Sequence, residues 1–233
     1  LNLTSVEDRY LRIEEVTDAI LNLENKMSLT IDQQIVVARA ITNLSALKGF
    51  QQRLLEDGCM TVVEKAIKFG EGAHRVLAAT IVRNLTTCYR TRPKLLDHSI
   101  VNLLMSMSRD DVEEVKDLAV KALYLLSRDG SCRERIVAGN AVTVILKISQ
   151  DTSNIAIGRL AAKTLRVLCG DASVAHTLVG DGIVKVLMTL LKNDDNNIRQ
   201  YCAESICSLF QIDSIIVRLI DQGAVGVIVN LSK

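Results

Sequence analysis

The chain has 233 residues, 28 basic against 27 acidic side chains and hence a net charge of +1, one proline, no tryptophan and 3% aromatics. The balanced charge removes the simplest case for nucleic-acid binding, and one proline in this length argues against a turn-rich β fold. No run of about 18 apolar residues occurs, so no membrane span is expected despite a mean hydropathy of +0.23.

The first twenty residues contain Glu7, Asp8, Arg9, Arg12, Glu14 and Glu15, which is not the pattern of a signal peptide. The chain starts at Leu1 rather than Met and reads as part of something longer. Val6 to Leu23 has a mixed polar and apolar face and is expected to be an N-terminal cap. Gln51 to Asp57 then forms a short helix ended by Gly58, the residue best able to take a left-handed turn. Met60 to Phe69 forms a second helix, broken by Gly70 and Gly72, and Ala73 to Cys88 forms a longer third. The same triplet returns as Ser131 to Ala138, Val142 to Ser149 and Asn154 to Cys169. Gly223 to Lys233 reads as another second helix. Its Val225, Val227, Ile228, Val229 and Leu231 are not a polar cap, so a further repeat or a partner is expected to cover it.

Two independent ladders give the period. The segments ARAITNLS, TIVRNLT, VKALYLLS, AKTLRVLC and AESICSLF align so that Asn43, Asn84, Leu125, Val167 and Ser208 are equivalent, at spacings of 41, 41, 42 and 41. The turn positions Gly58, His98, Gly139, Asp181 and Gly223 follow at 40, 41, 42 and 42. A period near 41 belongs to helical solenoids, whose units each leave an apolar face for the next unit to cover.

These residues resemble the armadillo repeat family, with a glycine between the first two helices at Gly58, Gly139 and Gly223. The family's Asn-Leu pair matches at Asn43-Leu44 and Asn84-Leu85, and its small position at Ala78, Ala119, Ala161 and Cys202. The resemblance covers nearly the whole chain. It implies an all-α, right-handed superhelical α-solenoid of three-helix units, in one domain over 1–233 of about four complete and two partial units. HEAT-like repeats are the alternative, against which the glycine turn and the three-helix unit weigh.

No catalytic constellation is visible, and a non-enzymatic chain without cofactor is expected. Cys59, Cys88, Cys132, Cys169, Cys202 and Cys207 form no CxxC pair and read as reduced thiols of a cytosolic or nuclear protein. His74, His98 and His176 lie far apart with no second ligand type at helical spacing, so no metal site is expected. Gly180-Asp181-Gly182 follows no strand and reads as an inter-helix turn. Asp110-Asp111, Glu113-Glu114 and Asp194-Asp195 fall at starts of third helices, where free N–H groups and the helix dipole favour anions. Arg90 and Arg92, before Pro93, read as solvated surface.

Geometry singles out one face of the third helices. At about 100° per residue, positions 1, 4 and 8 before the aligned marker share a sector with it, and positions 2, 3, 5 and 6 before it turn toward the core. The sector holds Arg39, Arg83, Lys121, Arg159, Lys163 and Arg166 in the first four units, against Asp117 alone, with Tyr124 among them. It reads as a basic groove for an acidic segment. Position 7 before the marker is apolar throughout: Val36, Leu77, Leu118, Leu160 and Tyr201. Either it packs against the next unit, or it floors the groove and suits an amphipathic partner helix with an acidic edge. Armadillo import receptors repeat tryptophan and asparagine along this face to hold basic signals. Here tryptophan is absent and the marker is asparagine only at Asn43 and Asn84, so classical nuclear-import signals are not the expected cargo.

The function these features imply is a protein–protein interaction scaffold that binds an acidic or amphipathic segment. The candidate contact residues are Arg39, Asn43, Arg83, Asn84, Lys121, Tyr124, Arg159, Lys163 and Arg166. Acidic tubulin tails are one ligand of this kind, so a cytoplasmic, cytoskeletal or ciliary adaptor is the expectation. A regulatory domain of a larger enzyme is the alternative.

Overall fold

A computed structural model describes Ala19 and residues 29–97, 100–151 and 154–232, and every regular element among them is helical. The expected cap at Val6 to Leu23, Ala19 aside, and the turn at His98 lie outside these residues. The chain groups into two compact units, Leu1–Thr91 and Arg92–Lys233.

The first unit contains α1 (Ile31–Ala46), α2 (Gln51–Glu56), α3 (Cys59–Phe69) and α4 (Gly72–Thr87). A capping box opens α1: Thr30 Oγ1 accepts from the Gln33 N–H, and the Thr30 N–H donates to Gln33 Oε1 at 2.9 Å. The chain turns from α2 into α3 at Gly58, whose φ of 89° only glycine adopts without strain. Helix α4 then returns along α1. The predicted break at Gly72 is absent; Gly72 is already the first helical residue, and the turn is made at Gly70 and Glu71.

The second unit repeats the pattern. Its three-helix sets are α5 (Arg92–Asp97), α6 (Ile100–Ser108) and α7 (Glu113–Ser127), then α8 (Gly130–Ala138), α9 (Ala141–Asp151) and α10 (Ile155–Cys169). There follow α11 (Ala175–Gly180), α12 (Ile183–Leu190) and α13 (Asn196–Phe210), and finally α14 (Ile216–Asp221) and α15 (Ala224–Leu231). Helices α11 and α14 are each preceded by one 3-10 turn. The predicted helix ends hold to within one or two residues. One expected turn shifts: Gly139 has an ordinary φ of −80°, and Asn140 takes the left-handed conformation at 69°. A Cβ on Gly139 would come within 3.0 Å of the Val101 side chain, so there the glycine serves close packing and Asn140 serves the turn.

The long third helices form the spine. Helix α7 packs along α10, and α10 along α13. On α10 the inward positions are Ala161, Ala162, Thr164 and Leu165, all fully buried; on α7 they are Ala119, Val120, Ala122 and Leu123. The small residues allow close approach. The large ones supply the apolar burial, about 1.5–3 kcal/mol for each leucine-sized side chain. Thr164 removes its polar cost by donating to the Leu160 carbonyl at 2.8 Å.

Candidate functional site

With the inward positions occupied by the core, the remaining sector of α10 faces outward. It carries Arg159, Lys163 and Arg166. Between α10 and α13 lies a cleft of about 390 Å³, lined by Ala156, Arg159, Leu160, Lys163, Asn197 and Tyr201. Leu160 and Tyr201 belong to the predicted apolar ladder. On this pair of helices the ladder forms part of the cleft wall, whereas the equivalent Leu118 is buried. Asn197 is not foreseen from sequence. It sits in the first turn of α13, outside the stretch aligned between units, and only the helix start at Asp195 could place it.

The stripe of cations is not bare, which revises the sequence reading. Asp195 meets one edge of the Arg159 guanidinium through both carboxylate oxygens, with Nη2–Oδ2 at 2.7 Å and Nε–Oδ1 at 3.1 Å. The same carboxylate caps α13 by accepting from the Asn197 and Ile198 N–H groups. Hydrogen bonding from Arg159 holds the Asp195 carboxyl below its usual range. Arg166 Nη1 donates to Glu204 Oε2 at 3.1 Å, and Lys121 pairs with Asp117 one turn away. Lys163 differs. It has no carboxylate partner among the described residues, and its Nζ lies 5.1 Å from the centroid of the Tyr124 ring. Arg166 stands over the Tyr201 ring at 5.7 Å. The face is therefore a set of cations backed by aromatic rings, in which Lys163 alone of the three α10 cations keeps an uncompensated charge.

In the first unit Arg39 and Asn43 are exposed one turn apart on α1, beside Val36, which is 64% exposed. Arg83 is exposed on α4. Asn84, expected at the surface, is buried, and its amide Nδ2 donates to Ser45 Oγ at 3.0 Å while Oδ1 accepts from Arg83. It ties α4 to α1 and is not presented to a ligand. The expected surface role of Arg92 also changes, because it is half-buried and faces Asp129 at 3.8 Å.

Among the described residues no cluster of three or more His, Cys, Asp or Glu side chains could hold a metal ion. No single helix among them is long and apolar enough to cross a membrane.

No protein-family model matches the chain, and no curated protein matches it significantly. Solved structures do. A computationally designed armadillo repeat protein for modular peptide recognition superposes with a TM-score of 0.72 at 16% identity, covering 91% of this chain and 88% of its own. A designed armadillo repeat protein in complex with the peptide (KR)4 gives 0.71 at 16% identity, covering 86% and 84%. A third designed armadillo repeat protein gives 0.69 at 17% identity, covering 91% and 88%. At such identities the likeness concerns fold alone, and together with the helical period it establishes an all-α, armadillo-like repeat fold for this chain.

Proposed function

We propose that the chain is a non-enzymatic binding scaffold, and that the cleft between α10 and α13 receives a peptide segment carrying apolar and acidic side chains. The observation that carries this reading is the cleft itself. Leu160 and the Tyr201 ring offer an apolar wall, the Asn197 amide offers a donor and an acceptor, and Lys163 offers a cation without a carboxylate. Two of the similar designed proteins are described as made for peptide recognition or solved with a peptide, which supports a peptide segment as the ligand. The (KR)4 peptide of one is cationic; with Lys163 in the cleft, the charge preference here is the reverse. Acidic tails such as those of tubulin have the required chemistry, and a cytoplasmic, cytoskeletal adaptor role is part of the same proposal.

The test is titration of the ¹⁵N-labelled protein with three peptide pools: acidic–apolar, basic–apolar and neutral. The acidic–apolar pool should move the amides of 156–166 and 197–204. Lys163→Glu should weaken that binding about fivefold or more, since it replaces an attraction of up to about 1 kcal/mol by a repulsion. Lys185→Glu, on the exposed side of α12, should not. Equal binding of all three pools would refute the reading.

A further inference from the structure

Two ion pairs link α10 to the next third helix near the cleft. Arg159, which lines the cleft, pairs with Asp195 at the start of α13, and Arg166 pairs with Glu204 one turn beyond the lining residues Lys163 and Tyr201. Seven residues separate the two arginines, about 10 Å along the helix axis. In each pair the arginine comes from one repeat and the acid from the next, so each arginine meets a negative charge before any ligand arrives.

We infer that Glu204 is a specificity-determining residue. By neutralising Arg166 it withholds from a ligand's second acidic side chain the gain that a bare arginine would give, so the cleft does not favour two acids over one. This rests on the proposal that the cleft binds an acidic and apolar segment. The physical argument is local charge. A ligand carboxylate at Lys163 meets one uncompensated cation, but a second carboxylate at Arg166 meets a pair of zero net charge whose acid repels it. The Arg166–Glu204 contact is a single hydrogen bond between side chains that are 42% and 38% exposed, so little holds it beyond charge. Arg159–Asp195 is different. Asp195 is only 11% exposed, accepts from both Nε and Nη2 of the guanidinium and caps α13, so it is a structural clasp. Of the two acids, Glu204 is thus the one whose charge can be removed without disturbing a helix end.

Glu204→Gln is the direct variant. It keeps an amide oxygen for Gln200, whose Nε2 donates to Glu204 Oε1 at 2.8 Å, and leaves Arg166 over the Tyr201 ring. The probes are acetylated, amidated nonapeptides with a central leucine in a serine background, carrying one glutamate or two glutamates two residues apart. Such a pair projects to the same side of an extended strand. The native protein should bind the two within about twofold of each other. Glu204→Gln should bind the two-glutamate peptide at least fivefold more tightly than the one-glutamate peptide, with an unchanged circular dichroism spectrum. A native protein that already prefers the two-glutamate peptide fivefold, or a variant that gains no preference, overturns the role of Glu204 while leaving the cleft as a binding site. If neither peptide moves the amides of 156–166 and 197–204 in the native protein, the cleft reading itself falls, and this inference with it.

Discussion

Lys163 and Arg166 stand one turn apart on α10 and share a charge, yet of the two only Arg166 has a carboxylate partner among the described residues. Their common face is legible in the sequence, because a 3.6-residue period sorts side chains into inward and outward sectors whatever their chemistry. The pairing of the α10 arginines is not. Glu204 lies 38 residues beyond Arg166 and Asp195 36 beyond Arg159, and no period says which rotamers will meet. The same limit applies to Asn84, where the family motif is legible but the bond to Ser45 that buries it is not. The cysteines show the opposite case, since small apolar positions mark themselves by spacing. Burial pushes the Cys59, Cys169 and Cys202 thiols up to about 12, whereas Cys207 is exposed. With a disulfide reagent near pH 8, Cys207 should react within seconds. Cys59, Cys169 and Cys202 should react only as fast as the helices open, and with guanidinium all six should react at once. Native-state labelling of Cys169 as fast as that of Cys207 would contradict the packing.

The elements are set by their ends as much as by their apolar stripes. Gly182 enters α12 with φ of 84°, and nothing lies within 4 Å of the place a Cβ would take. Gly182→Ala should therefore suffer backbone strain alone, about 1–2 kcal/mol in chemical denaturation. The left-handed turns at Gly58, Gly182 and Gly223 are legible from residue type. The one-residue slip at Gly139 arises because a glycine also serves close packing, and sequence does not separate the two uses. Between first helices, Arg133 donates to Asp171 at 2.9 Å, while Asp171 also accepts from Ser173. The Arg133 bond first, then Ser173, lowers the Asp171 carboxyl below its ordinary 3.8. A depressed carboxyl stabilises the fold above its unfolded pKa, and that contribution is lost as pH falls through the folded value. Stability should therefore decline in acid below about pH 4. Asp171→Asn should lower stability at neutral pH and make the acid decline shallower, as urea midpoints measured across pH would show.

At the scale of the whole molecule, the period is fully legible and the fold with it, because repeat stacking depends on pattern rather than on particular side chains. Burial falls toward the last helices. In α15 only Ala224 and Val227 are buried, while Val225, Ile228 and Val229 are each about half exposed. In α10 eight of fifteen residues are buried. Hydrogen exchange should therefore be faster by at least tenfold in α15 than in α10. The reach of the cross-links has a consequence in time. Asn84 to Ser45, Arg133 to Asp171, Arg166 to Glu204 and Gln222 to the Val179 carbonyl span 39, 38, 38 and 43 residues, each about one repeat. None of these four links asks the chain to close a loop longer than about one period, so the entropic barrier to each is about the same. Folding can then start at whichever neighbouring pair of third helices meets first and spread in either direction, as a zip rather than a single collapse.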